Sequence, residues 1–154
     1  MLVSNIYINS YKSIHKLSLS LDKNITVLIG PNESGKSNIL KAIEAFKPEQ
    51  NLTTDLTCQF SPYYQENKTP QISLELTNFN PKEKNQFSKI FEGFKNTDSL
   101  ILRREGPNPN DYKIQSNSKV HSVGNITPLL SFLPKIFYFD SIPIIKDRIS
   151  EDEL

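Results

Sequence analysis

Hydrophobic and polar positions alternate in three segments of the chain, residues 2–9, 15–21 and 72–77. An alternation with a period of two places every second side chain on the same face, so each segment is predicted to be a strand with one buried face. A short turn joins the first two segments and predicts an antiparallel hairpin. Two further strands, residues 99–104 and 112–115, flank a turn-rich stretch and predict a second hairpin.

Residues 25–29 have a different pattern, because only Thr26 is polar and the other positions are aliphatic. This pattern predicts a strand that is buried on both faces, as at the centre of a parallel sheet. From residue 35 to residue 46 the apolar positions follow helical spacing, and Pro48 ends that pattern. The chain is therefore predicted to be α/β, with a mixed parallel and antiparallel sheet and few helices.

A second helix is predicted to begin near residue 80. Asn80 has the residue type of an N-cap, Pro81 suits the first helical position, and Glu83 completes a capping box. Further along, residues 126–133 predict a short helix and residues 135–139 predict a strand. Helices and strands are thus expected to follow one another through the C-terminal third of the chain.

Two stretches bear on domain organisation. Residues 48–70 are polar and follow neither period, so they are predicted to form a long loop or an insertion. The last five residues, 150–154, have the composition of a helix that is beginning. We therefore expect residues 1–154 to form one incomplete lobe, and the sequence leaves open whether Leu154 is the natural C-terminus.

Composition and charge narrow the class of protein. With 154 residues, of which 36% are hydrophobic and 23% charged, the chain has the size and make-up of one globular domain. A net charge of +1 offers no electrostatic argument for binding nucleic acid or a membrane. Cys58 is the single cysteine, which excludes an internal disulfide and fits a reducing cytoplasm. Because the apolar runs are also too short to span a bilayer, a soluble cytoplasmic protein is predicted.

Residues 30–37 read Gly-Pro-Asn-Glu-Ser-Gly-Lys-Ser and match the phosphate-binding pattern G-x-x-x-x-G-K-[ST]. Gly30 allows a sharp turn out of the preceding strand, and Gly35 lets the backbone approach a phosphate because it has no Cβ. The amides in the second half of the loop are predicted to face an anion at the positive end of a helix. Lys36 supplies a charge near the β- and γ-phosphates, and the Ser37 hydroxyl supplies an oxygen ligand for Mg²⁺.

The neighbouring segments make this motif specific. A predicted buried strand runs into the loop and an amphipathic helix leaves it, which is the frame in which such a loop binds phosphate. An incidental turn rich in glycine and serine would seldom have both neighbours. The sequence therefore predicts ATP and Mg²⁺ as cofactors, with Lys36 as the catalytic lysine.

Three segments follow one another in the N-terminal third of the chain: residues 5–14, a Leu-x-Leu-x-Leu strand, and residues 29–43, which include the phosphate-binding pattern. In these segments the chain resembles the start of ATPases from the SMC/RecF/OLD branch of the ABC class. The Asn-Glu-Ser triplet within the loop, where many relatives have Asn-Gly-Ser, is most similar to OLD-like ATPases of the AAA_15 type. The resemblance implies a P-loop NTPase fold of the kind found in the first lobe of ABC ATPases.

The resemblance also assigns roles to individual residues. In this family the turn between the first two strands lies over the nucleotide, which implies that Lys12 and Ser13 contact the base or the phosphates. A solvated turn lysine is the alternative for Lys12. Asn32 is implied to hold the loop's shape or to face the γ-phosphate, while the Glu33 side chain is predicted to point to solvent. The full set of predicted nucleotide-binding residues is Lys12, Ser13, Gly30, Asn32, Glu33, Ser34, Gly35, Lys36, Ser37 and Asn38.

Two parts of a complete ABC ATPase site are not recognisable in the sequence, the Leu-Ser-Gly-Gly-type signature motif and a Walker B strand that ends in Asp-Glu. Asp140 follows the hydrophobic run of residues 136–139 and is a weak candidate for a Walker B acid that holds Mg²⁺ through water. The order of motifs in the family instead places this position at the end of the strand that leads to the Q-loop. A turn aspartate that merely caps a strand is the third interpretation.

The other polar residues show no recognisable catalytic set. His15 and His121 are isolated from other ligand-type residues and are predicted to be surface residues. Arg103 and Arg104 are predicted to lie on a charged edge or a solvated face, in preference to contacting DNA or nucleotide.

We expect the chain to be the ATP- and Mg²⁺-binding lobe of an OLD/SMC-like ATPase in a DNA-linked process such as defence or repair, with little or no hydrolysis of its own. A C-terminal lobe or a second ATPase subunit is expected to complete the site, and DNA to be reached through the full-length assembly. OLD-like proteins carry a Toprim nuclease downstream, which this sequence does not reveal. Two alternatives stay open, a self-sufficient small P-loop kinase or NTPase with Asp140 close to Ser37, and a non-catalytic binding or assembly fragment.

Overall fold

The structure is a computed structural model that describes residues 1–59, 68–90, 94, 97–108, 111–116, 119–123 and 126–137. Its elements in chain order are β1 (Leu2–Tyr11), β2 (Ile14–Ser20), α1 (Lys36–Glu44), β3 (Gln71–Thr77), α2 (Pro81–Ile90), β4 (Ser99–Arg104), β5 (Tyr112–Ser116), β6 (Lys119–Val123) and α3 (Thr127–Leu130). A 3-10 turn, Thr54–Leu56, lies between α1 and β3. None of the helices in this described part of the chain has the length and apolarity that a bilayer crossing demands.

The six strands form one sheet in the order β2-β1-β3-β4-β5-β6. Each of the five pairings between the described strands is antiparallel. The prediction of an α/β chain with few helices is therefore confirmed, and both predicted hairpins form, as β1–β2 and β4–β5. The parallel pairing expected within a mixed sheet is not found among the described strands. Residues 25–29, which were expected to provide it, do not pair with any described strand.

The alternation in the sequence places the core on one face of the sheet. Ile6 pairs with Leu19 on one side and with Leu74 on the other, and Leu74 pairs with Leu102 in turn. Because partners across an antiparallel sheet point to the same face, these rows of aliphatic side chains form a continuous surface. The buried residues of the helices and loops that join this surface in one core are Ala42, Ala45, Phe46, Leu52, Phe79, Phe87, Phe94, Ile126 and Leu129.

Helix α2 begins as its sequence predicts. The Glu83 amide donates a hydrogen bond to Asn80 Oδ1 at 2.9 Å, and the Asn80 amide donates one to Glu83 Oε2 at 2.8 Å. These reciprocal bonds satisfy N–H groups that have no acceptor within the helix. Further along the helix, Phe87 is buried and contacts Phe79 and Phe94, with ring centroids 5.5 and 5.1 Å from its own. The capping box and the core stripe together fix both the start and the buried face of this helix.

Residues 25–29, predicted to be a central buried strand, lie outside every described strand. The side chains of Ile25, Val27 and Ile29 are 75%, 69% and 91% exposed. The prediction of a buried strand is therefore wrong for this chain on its own. An apolar pattern shows which environment a segment suits, whereas burial also requires neighbouring strands, and the described residues supply none.

The predicted loop of residues 48–70 is described at 48–59 and 68–70. Part of it joins the β1–β2 turn, since the Lys12 amide donates to the Leu56 carbonyl at 2.7 Å and the Cys58 amide donates to the Ser10 carbonyl at 3.1 Å. That this segment is an insertion stays a prediction. The short helix expected at residues 126–133 is present as α3.

Three other predictions concern single segments or side chains. Residues 135–137 of the predicted strand have no strand structure, and its remainder lies outside the described residues. His15 and His121 are exposed, as predicted. The prediction of a solvated face is wrong for Arg104, which is fully buried because it shares the face of Leu102 on β4.

Candidate functional site

The loop of residues 30–35 leads directly into α1, and Gly35 is the N-cap of this helix with a φ angle of 89°. A side chain would be strained in this left-handed conformation, which explains why the motif requires glycine here. Glu33 is also left-handed, with a φ angle of 65°. Changes of backbone hand within a few residues turn successive N–H groups toward one point and create a concave site for an anion.

The side chain of Lys36 is bonded back onto the loop. Its Nζ donates to the Gly30 carbonyl at 2.6 Å, to Ser34 Oγ at 2.9 Å and also to the Pro31 carbonyl. These bonds hold the two ends of the loop together around one ammonium group. The loop thus carries a fixed positive charge where it meets the helix N-terminus.

A hollow of about 500 Å³ lies in front of this loop and is lined by residues 32–38. The first N–H groups of α1 have no acceptor within the helix, and the helix dipole makes its N-terminus positive. Within residues 32–38, Glu33 is the single acid and Lys36 the single base. The hollow therefore combines unpaired donors with a cation, which is the chemistry that binds a phosphate chain.

The turn between β1 and β2 lies against the first turn of α1. Asn38 Nδ2 donates a hydrogen bond to Ser13 Oγ at 2.8 Å. A Cβ placed on Gly35 would lie 3.6 Å from the same hydroxyl oxygen. The structure therefore brings Ser13 to the edge of the phosphate loop, although the two segments are far apart in sequence.

The other predicted site residues divide into two groups. Lys12 is in the left-handed conformation at the turn, with φ of 49°, and its ammonium lies 5.6 Å from the centroid of the Tyr11 ring. Its side chain is thus directed to its aromatic neighbour, while residues 32–38 line the hollow and Ser13 lies at its edge. Asp140, the Walker B candidate, lies outside the described residues.

The residues at the hollow fit a nucleotide polyphosphate with Mg²⁺. Ser37 is exposed in the first turn of α1 and offers one hydroxyl oxygen, a ligand type that suits this hard cation. Mg²⁺ at phosphate sites needs few protein ligands, because waters and phosphate oxygens supply the others. The described part of the chain holds no group of three or more His, Cys, Asp or Glu residues that would bind a metal ion without a nucleotide.

Sequence comparison finds relatives that match a short part of the chain. The chromosome partition protein Smc of Methanocaldococcus jannaschii is 49% identical over 41 residues, which cover 27% of this chain and 4% of that protein. The DNA replication and repair protein RecF of Corynebacterium jeikeium is 44% identical over 43 residues, covering 28% of this chain and 10% of that protein. RecF of Rickettsia canadensis is 40% identical over 55 residues, covering 32% and 15%. The matched part thus spans a small fraction of these curated relatives.

Two solved structures share the fold over most of the chain. One, from a study of ATP-driven dimerization and DNA-stimulated activation of SMC ATPases, aligns with 84% of this chain and 80% of its own at a TM-score of 0.53 and 19% identity. The other, an SmcHead bound to the C-winged helix domain of ScpA, aligns with 83% of this chain and 40% of its own at a TM-score of 0.52 and 20% identity. The fold is therefore that of a P-loop NTPase head.

A profile of one family covers nearly the whole chain, in contrast to the short pairwise matches. The profile of the AAA_15 AAA ATPase domain matches residues 1–149. It agrees with the phosphate loop, with the SMC and RecF relatives, and with the resemblance to the N-terminal lobe of SMC/RecF-type ABC ATPases seen in the sequence. The chain belongs to the AAA_15 family of AAA ATPase domains.

Proposed function

We propose that this chain is the ATP-binding N-terminal lobe of an SMC/RecF-like ATPase that acts in a DNA-linked process. The observation that carries the proposal is the phosphate loop itself. Gly35 caps α1 in a left-handed conformation and Lys36 is held at the loop's mouth, in front of a hollow of about 500 Å³. This arrangement complements a polyphosphate in both shape and charge.

Each site residue has a proposed task. The loop amides and the Lys36 ammonium bind the β- and γ-phosphates, and Ser37 Oγ holds Mg²⁺, which offsets phosphate charge when it is bound. Ser13 is proposed to border the nucleotide together with Asn38, to which it is hydrogen-bonded. For Lys12 we propose a contact with the base or the phosphates, for which its ammonium would have to leave the Tyr11 ring. Asn32 is proposed to stabilise the loop's shape.

A second lobe is proposed to complete the site by pairing with residues 25–29. Ile25, Val27 and Ile29 expose most of their apolar surface in this chain, and the segment runs straight into the phosphate loop. Strands that are apolar on both faces are typical of the centre of a parallel sheet covered on both sides. Because the curated relatives are many times longer than the matched part, further chain or a second subunit would supply the neighbouring strands.

Little or no hydrolysis is expected from this lobe alone. Among the residues that line the hollow, Glu33 is the one carboxylate, and it sits in the loop itself, where a Walker B acid does not occur. A role in defence or repair, and a relationship to OLD proteins, are the finer parts of the proposal. Repair is supported by the RecF relatives, which are DNA replication and repair proteins, and the relationship to OLD proteins is supported by the Asn-Glu-Ser triplet of the loop.

The self-sufficient kinase is less well supported. It requires a mostly parallel sheet around the phosphate loop, whereas the five pairings of described strands are antiparallel. A non-catalytic binding or assembly fragment is separated from our proposal by whether the chain binds ATP.

Calorimetric titration of the chain with ATP, with and without Mg²⁺, tests the proposal. We expect saturable binding that Mg²⁺ strengthens and that Lys36→Ala weakens by about tenfold or more, because a hydrogen-bonded charge at a phosphate contributes roughly 1.5–3 kcal/mol. Lys41→Ala is the matched control, since Lys41 is an exposed lysine of the same helix that does not line the hollow. A flat titration of the unmodified chain, or an equal effect of both substitutions, would contradict the proposal.

A further inference from the structure

Arg104 is fully buried on the core face of β4, and it has no carboxylate within ion-pair distance in the described part of the chain. Its guanidinium instead donates to five backbone carbonyls, those of Gly106, Ala45, Lys47, Gln50 and Pro107. The five N–H groups of the side chain are thereby all used. Burying a charged group away from water costs free energy unless its polar atoms find partners. The five carbonyls offset this cost for the guanidinium and so hold Arg104 in place.

Three of these carbonyls belong to the end of α1 and the turn that follows. Ala45 is the C-cap of the helix, and its carbonyl accepts from Arg104 at 2.6 Å. Carbonyls at a helix C-terminus carry partial negative charge, so a cation is favourable there. The guanidinium also lies over the Tyr112 ring at 5.7 Å, and the Tyr112 hydroxyl donates to the Phe46 carbonyl. We call this pair of side chains the Arg104–Tyr112 clamp.

The Arg104–Tyr112 clamp binds the C-terminal end of α1, and the phosphate loop lies at the N-terminal end of the same helix. Helix α1 has nine residues, so its two ends are about 13 Å apart. The chain that enters the loop, residues 25–29, is not paired with a described strand. On the loop side the tie that the structure shows to the sheet is the Asn38–Ser13 hydrogen bond of 2.8 Å. The direction of α1 relative to the sheet therefore depends on its packing against the core, through Ala42 and its neighbours Ile39 and Ile43, and on its clamped C-terminus.

We infer that Arg104 is a positioning residue for the nucleotide site, acting through α1 to hold the phosphate loop against Ser13. The inference rests on the proposed function for its consequence, ATP affinity, but not for the helix contact itself. Without the clamp, α1 is free to tilt on its core contacts, and the loop loses the fixed geometry that lets its amides meet a phosphate at low entropic cost. Arg104 does not line the hollow and is not a catalytic residue.

The test compares Arg104→Met with two controls. Arg103→Met removes a neighbouring charge on the opposite face of β4, where Arg103 donates to Glu105 and Gln115 at 3.3 and 3.2 Å and does not contact α1. Leu102→Ala removes a buried apolar side chain from the same strand and provides a destabilised variant that keeps the hydrogen bonds of Arg104 to the end of α1. Two readouts are measured where circular dichroism shows every variant folded: hydrogen exchange of the Asn38 and Ile39 amides, and ATP affinity by titration.

For Arg104→Met we expect amide exchange in the first turn of α1 to rise, and ATP affinity to fall, by about tenfold each. Both controls should change either readout by less than about threefold. Arg104→Lys should recover part of the loss because it keeps the charge. If Arg104→Met does not fold, Arg104→Lys and Tyr112→Phe carry the same comparison.

Equal readouts for Arg104→Met and Leu102→Ala would overturn the inference, since a general loss of stability would then explain both. If the unmodified chain binds no ATP, the proposed function fails, and hydrogen exchange alone decides whether the clamp positions α1.

Discussion

At the scale of single residues, Glu33 has two features that are unfavourable at its position in the phosphate loop. Its φ angle of 65° lies in the left-handed region, which costs a residue with a side chain roughly 1–2 kcal/mol relative to glycine. Glu33 also brings a negative charge to the residues that line the hollow proposed to receive phosphates. The backbone and the charge can be separated by two substitutions, because glycine changes both and glutamine changes the charge alone.

We predict that Glu33→Gly raises the melting temperature while Glu33→Gln leaves it nearly unchanged. The relief of strain exceeds the added chain entropy of glycine, about 0.4–1 kcal/mol, so a net gain of up to about 1 kcal/mol is expected. Both variants should bind ATP about two- to fivefold more tightly at low salt, with a smaller gain at high salt because ions screen exposed charges. Thermal unfolding and ATP titration provide the measurements. Equal melting temperatures for the two variants would show that the left-handed backbone costs the folded chain nothing.

At the scale of elements, the start of α2 contains a charge pair that could not be predicted from the sequence. The N-terminal ammonium of Met1 lies 3.0 Å from Glu83 Oε2, the oxygen that also accepts the Asn80 amide. Burial alone raises the pKa of Glu83, but the hydrogen bond from the Asn80 amide and the ammonium of Met1 outweigh it and leave the pKa below its ordinary value of 4.5. The carboxylate thus ties the first residue of the chain to the helix cap.

We predict that Glu83→Gln destabilises the chain by about 1 kcal/mol at neutral pH, because the ammonium loses its partner. A carboxyl with a lowered pKa stabilises the fold at pH values above its unfolded-state pKa, and this contribution is lost as the pH falls through the folded-state pKa. The difference between variant and unmodified chain should therefore shrink in acid. Urea unfolding from neutral to acidic pH measures it.

Asp98→Asn is the control for Glu83→Gln. Asp98 pairs with Lys84 of the same helix at 2.9 Å but is 97% exposed, and an exposed pair of this kind is expected to change stability very little. A difference between Glu83→Gln and the unmodified chain that does not depend on pH would show that the carboxylate charge is not the cause.

The elements predicted from the sequence are those in which burial imposes a period. Strands β1, β3, β4 and β5 each bury one face and β2 partly buries one, so the alternation predicted their positions. Helices α1 and α2 were recognisable from apolar spacing and capping residues. Strand β6 was missed because four of its five residues are exposed and it has no alternation. Arg104 lies two residues after Leu102 on β4 and therefore shares its buried face. The prediction placed Arg104 in solvent because arginine is charged.

At the scale of the whole molecule, the phosphate loop could be predicted because its chemistry lies within eight consecutive residues. The contact between Ser13 and Asn38 joins two segments that are distant in sequence, so no motif predicts it, and the resemblance to a family implied only that Ser13 lies near the nucleotide. The carbonyls around Arg104 come from two separate turns, one after α1 and one after β4. A sequence pattern does not show which distant turns meet in the fold, so this contact could not be predicted. Residues 25–29 show the converse limit, because their pattern describes an environment that the described residues do not provide.

This exposed segment leads to the last prediction. We expect the double substitution Ile25→Thr with Val27→Thr to leave the melting temperature of the chain unchanged, because both side chains are largely exposed and threonine keeps the β-branched shape. Binding of a hydrophobic dye and self-association should both decrease, since exposed apolar patches favour association. The matched control is Ile72→Thr at the centre of the sheet, where the side chain is 0% exposed and a buried hydroxyl should cost about 2 kcal/mol or more. Thermal unfolding, dye fluorescence and light scattering give the comparison. If the double variant melts as early as Ile72→Thr, residues 25–29 are covered in solution, and the surface that we assign to a second lobe is already occupied.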